Sequence, residues 1–126
     1  MTAVLIVDDS KLARIVVGKA VAALQPDWSR LEAGNADEAR EVLDGHDVDV
    51  LILDFNMPGK NGLELAEELR AQYPAMPIAL ATANVQDEVI ARARAAGASF
   101  IPKPVSEEGL RGFLSGAALK LRSGGP

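Results

Sequence analysis

Apolar residues along this chain follow two alternating spacings. Val4–Val7, Val48–Leu53 and Pro77–Ala81 are nearly unbroken apolar runs, the pattern of strands covered on both faces. Between them, apolar positions recur every three or four residues, which is the helical period. Ser10 is placed to cap a helix over Lys11–Leu24, ended by Pro26, and the spacing assigns Leu12, Val16, Ala20 and Ala23 to its inner face. Trp28–Ala33 alternates weakly, as an exposed edge strand does. Asn35-Ala-Asp-Glu38 reads as a capping box opening a short helix that ends at Gly45 as its C′ residue. Asn56–Gly62, rich in Pro and Gly, reads as a loop before a helix over Leu63–Tyr73 that Pro74 stops. Asn84 is placed to cap a helix over Val85–Ala96 that ends at Gly97, and Ala98–Ile101 forms a fifth strand. Ser106 then starts a last helix with Leu110, Phe113, Leu114, Ala117 and Leu121 on one stripe.

Strands alternating with helices predict a doubly wound α/β fold, (βα)₅, over residues 1–122, with 123–126 as a flexible tail. Pro102 cannot donate to a sheet ladder, so the fifth strand belongs at an edge. Edges at strands two and five agree with the order 2-1-3-4-5. That order is the one known for flavodoxin-like parallel sheets.

Composition narrows the setting. The 126 residues suit one domain, 48% hydrophobic residues can build a core, and no run reaches the length of a membrane span. The N-terminal segment turns acidic too early for a signal peptide. The chain has no cysteine, so disulfides and thiolate metal sites are excluded, and a cytoplasmic protein is expected. A net charge of −5 argues against direct nucleic-acid binding and leaves a protein partner as the easier expectation.

The candidate chemistry stands where the apolar runs end. Asp8 and Asp9 follow strand one, Asp54 strand three, Thr82 strand four and Lys103 strand five. In an open parallel sheet these ends converge on one crevice. Singly, each residue has an ordinary reading as helix cap, turn former, strand residue or solvated lysine. Together they form three carboxylates, a hydroxyl and an ammonium. Two carboxylates at roughly 4 Å repel by about 4 kcal/mol at an effective dielectric near 20. A hard divalent cation relieves that repulsion, and Mg²⁺ suits carboxylate and phosphate oxygens. A carboxylate can accept a phosphoryl group, and a transferring phosphoryl is stabilised by positioned positive charge.

Val7-Asp-Asp-Ser10, Leu53-Asp-Phe-Asn-Met-Pro-Gly-Lys-Asn-Gly-Leu63, Ala81-Thr-Ala-Asn84 and Phe100-Ile-Pro-Lys-Pro104 together resemble the receiver domain of two-component response regulators, in its single-domain, CheY-like form. The resemblance implies that Asp54 takes a phosphoryl group from a histidine kinase. It implies Mg²⁺ held by Asp9 and Asp54, with Asp8 acting largely through water and Asn56 through its backbone carbonyl. Thr82, Ala83 and Lys103 become the phosphoryl-binding positions, and Lys103–Pro104 a cis peptide. Thr82 and Phe100 become a switch acting on a protein target at the surface of the fourth helix, fifth strand and fifth helix. Asn56 and Asn84 flank the expected path of the hydrolytic water. Pro102 is a mild departure from the family pattern.

Asp54-Phe-Asn-Met-Pro58 points toward the chemotaxis branch, where the target is the flagellar motor switch. A phosphorelay intermediate, a phosphate sink and a receiver cut from a longer regulator are the alternatives. A haloacid-dehalogenase-type phosphatase would need an acid where Asn56 stands, and a flavodoxin-like redox protein a phosphate-cradling loop where Asp8-Asp9-Ser10 stands. His46 and Trp28 read as a solvated residue and edge packing. Arg92 and Arg94 read as a solvated helix face open to an acidic partner.

Overall fold

The computed structural model describes residues 2–83 and 86–123. Its elements are β1 (Ala3–Val7), α1 (Lys11–Leu24), β2 (Ser29–Ala33), α2 (Ala36–Gly45), β3 (Val50–Asp54), α3 (Gly62–Gln72), β4 (Ile78–Thr82), α4 (Asp87–Ala95), β5 (Ala98–Pro102) and α5 (Glu107–Ser123). The strands form one parallel sheet in the order β2-β1-β3-β4-β5. This is the flavodoxin-like arrangement expected. Every residue of β1, β3 and β4 is buried, as their unbroken apolar runs require.

Strand pleating divides the core in two. Val4, Ile6, Val50, Ile52, Ala79 and Ala81 face α1 and α5. Leu5, Val7, Leu51, Leu53, Ile78 and Leu80 face α2, α3 and α4. The α5 stripe docks as expected, with Leu110, Leu114 and Ala117 buried and Phe113 and Leu121 packed beside them. Trp28 also packs into this layer.

The expected inner face of α1 holds only at Ala20. Its buried residues are Val17, Ala20 and Val21, while Leu12 and Val16 are 71% and 45% exposed and Ala23 lies outside. The helix carries apolar residues on nearly all sides, so periodicity alone could not choose between two apolar faces.

Helix ends differ in smaller ways. Gly45 is the last helical residue of α2, and His46, not Gly45, takes the cap position. Asn35 accepts from the Glu38 amide, but Glu38 returns to the Gly34 amide rather than that of Asn35. A complete capping box is on α3, where Asn61, the N-cap inside the expected loop, and Glu64 bond each other's amides. Gly97, at φ 69°, ends α4 as expected. The expected cap Asn84 lies outside the described residues; α4 begins after Gln86, which makes no side-chain cap. Ser106 accepts from the Gly109 amide at the start of α5. That helix includes Ser123, which was assigned to the tail.

Candidate phosphoryl-acceptor site

Each candidate residue sits at or just beyond the carboxyl end of a strand. The Asp8 amide continues the β1–β2 ladder by donating to the Ala33 carbonyl at 3.1 Å. Its carboxylate accepts from the Ser10 amide at 2.9 Å, which couples the start of α1 to the site. Arg14 reinforces the turn: its guanidinium donates to the Asp8 carbonyl at 2.5 Å and pairs with Glu32 at 2.8 Å. Nothing in the sequence pattern marked Arg14, because its partners come from two different strands' ends.

Asp54 closes β3 and is 4% exposed. The Phe55 amide donates to the Ala81 carbonyl, and the chain then returns so that the Gly62 amide donates to the Phe55 carbonyl, each at 2.9 Å. This return presses Gly62 against the strand end. A Cβ at Gly62 would collide with the Asp54 carbonyl oxygen, so the position has no room for a side chain. Gly62, expected as the last loop residue, is instead the first residue of α3 and carries this close approach.

Across the site, the Lys103 amide donates to the Thr82 carbonyl at 3.3 Å, which holds the end of β5 against β4. The Lys103–Pro104 peptide bond is cis. The Lys103 ammonium forms an ion pair with Asp54 Oδ1. That oxygen is fully buried, and among the described residues its partner is the ammonium. Thr82 is buried and Ala83 exposed. Phe100 is half-buried on β5, in register with Leu80.

Asp8, Asp9 and Asp54 offer carboxylate oxygens within 4.8 Å of one another. Two of these residues are buried and Asp9 is exposed. Asn56 lies on an exposed loop and lines a shallow hollow with Asp9 and Asn61. Burial pushes the Asp8 carboxyl up, the Ser10 amide pulls it back, and the Asp54 charge raises it again. Three converging acids, two of them buried, carry more negative charge than the single Lys103 ammonium balances. An oxygen-only donor set of this kind fits Mg²⁺.

His46 is exposed, with Nδ1 3.2 Å from the Val42 carbonyl, and takes no part in the site. Arg92 is not an open cation: it forms a two-point pair with Glu67 of α3 at 2.6 and 3.2 Å.

Residues 4–115 match the family model described as "Response regulator receiver domain". The "Chemotaxis protein CheY homolog" of Campylobacter jejuni is 39% identical over 111 residues, covering 85% of each chain. Among solved structures, the Vibrio cholerae chemotaxis protein CheY4 superposes with a TM-score of 0.82 at 30% identity, over 93% of this chain and 98% of that one. The response regulator TrrA of Thermotoga maritima, in complex with Mg²⁺-BeF, gives a TM-score of 0.80 at 26% identity, over 93% of this chain and 99% of that one.

Proposed function

This chain belongs to the receiver-domain family of response regulators, whose members bind Mg²⁺, are phosphorylated by histidine kinases and act on downstream targets; from that membership we propose that Asp54 is its phosphoryl acceptor. One observation carries the reading. Asp54 is a buried carboxylate whose Oδ1 is paired with the Lys103 ammonium, and two further acids converge on it.

Asp9 and Asp54 would hold Mg²⁺ directly, with the Asn56 carbonyl, and Asp8 would act through water. Bound there, the ion supplies positive charge to the phosphoryl oxygens. Asp54 provides the attacking oxygen. Lys103, already beside it, shifts its charge from the carboxylate to a phosphoryl oxygen. The Thr82 hydroxyl donates to another, and the small side chain of Ala83 leaves room beside it. This is catalysis by placement and charge, which phosphoryl transfer mostly needs.

The output is a phosphorylation-dependent protein contact. Movement of Thr82 toward the phosphoryl group frees space for Phe100 to rotate inward, which shifts the population of conformers at the surface of α4, β5 and α5. Similarity to two chemotaxis proteins supports a target of the flagellar-switch kind.

The test is incubation of the purified chain with acetyl phosphate and Mg²⁺, followed by intact-mass measurement. A gain of one phosphoryl group, absent without Mg²⁺ and absent in Asp54→Ala, is expected. An unmodified wild-type chain under conditions that trap short-lived adducts would overturn the reading.

A further inference from the structure

A groove of about 290 Å³ runs between the first half of α1 and the segment after β5. Asp54 and Lys103 line it, together with Leu12, Val16, Ile52 and Val105. Leu12 and Val16 are two of the exposed large apolar residues that the core does not use. An acidic site therefore opens directly into an apolar channel.

We propose that this groove receives the apolar tail of a small acyl phosphate, so that the chain is phosphorylated faster by short-chain fatty acyl phosphates than by acetyl phosphate. The match is one of chemistry and size. The anionic head meets the Lys103 ammonium and the Asp54 acceptor, while the tail meets aliphatic walls. The volume lies at the lower bound of small-molecule clefts, which limits the tail to a few carbons. In the transfer, an Asp54 carboxylate oxygen bonds to phosphorus as the phosphorus–oxygen bond to the acyl group breaks. The fatty carboxylate leaves with the electron pair, and no proton need move.

This inference rests on Asp54 being the acceptor, and the experiment separates the two. Initial phosphorylation rates are measured by intact mass with acetyl, butyryl and hexanoyl phosphate, each with Mg²⁺. The second-order rate constant should rise by up to roughly fourfold for each methylene that becomes buried. The double variant Leu12→Gln/Val16→Gln, altered only at exposed helix positions, should flatten the series onto the acetyl phosphate value. Hexylphosphonate, an unreactive analogue, should inhibit phosphorylation from acetyl phosphate more strongly than methylphosphonate. Equal rate constants across the series, with acetyl phosphate active, would overturn the groove's role and leave the acceptor assignment standing. No adduct from any donor would overturn both.

Discussion

Asp8 and Lys103 pull the stability of the site in opposite directions. Asp8 is nearly buried, and burial and the neighbouring Asp54 raise its carboxyl above the ordinary range. The folded chain then retains a proton on Asp8 at pH values where the unfolded chain has lost it. Stability contributed this way falls as pH rises from the unfolded value through the folded one, and levels off above it. Asp8→Asn should remove that slope and raise the melting temperature at neutral pH in the presence of a chelator. It should also weaken Mg²⁺ binding by about 10–100-fold, the usual effect of losing a partner that acts through an outer shell, read by calorimetric titration. Lys103→Met should do the reverse. Loss of the ammonium leaves Asp54 buried beside two other acids, at a cost of about 1–3 kcal/mol in denaturant unfolding. That deficit should shrink when Mg²⁺ is added. An Mg²⁺-independent deficit would mean that Lys103 acts by packing rather than by charge.

The element scale shows why parts of the molecule were legible in sequence. β1, β3 and β4 are buried throughout, and such strands announce themselves as apolar runs. The candidate acids, Thr82 and Lys103 are legible because each ends or follows a strand, so chain order alone brings them to one edge. The face of α1 was not legible, since Leu12 and Val16 are as apolar as Val17 and Val21, and only packing decides among them. Gly62 was not legible either, because its constraint is the Asp54 carbonyl, which only the fold brings against it. Gly62→Ala should therefore destabilise the chain by about 1–3 kcal/mol or more, as overpacking does, and slow phosphorylation by displacing the end of β3. Asn61→Ala, one residue earlier, removes the cap of α3 but no close contact. It should cost about 1 kcal/mol and leave the acceptor rate near wild type. Thermal melts and acetyl phosphate kinetics on the same two variants distinguish site distortion from simple loss of helix stability.

At the scale of the whole molecule, one edge of a parallel sheet is proposed to do the chemistry while an outer face reports it. Phe100 is proposed to connect the two, being half-buried on the edge strand whose next residues carry Lys103 to the site. Phe100→Ala should accept phosphoryl at a rate near wild type, while beryllofluoride with Mg²⁺ should produce smaller NMR shift changes over α4 and α5 than in the wild-type chain. Equal shifts in both would remove Phe100 from the coupling. All of this depends on which carboxylate becomes the mixed anhydride. The most direct test is to phosphorylate the chain with acetyl phosphate and Mg²⁺, reduce it with borohydride, and locate the resulting homoserine by peptide mass spectrometry. The account predicts homoserine at position 54 alone. Homoserine at position 8 or 9, with Asp54 intact, would contradict it.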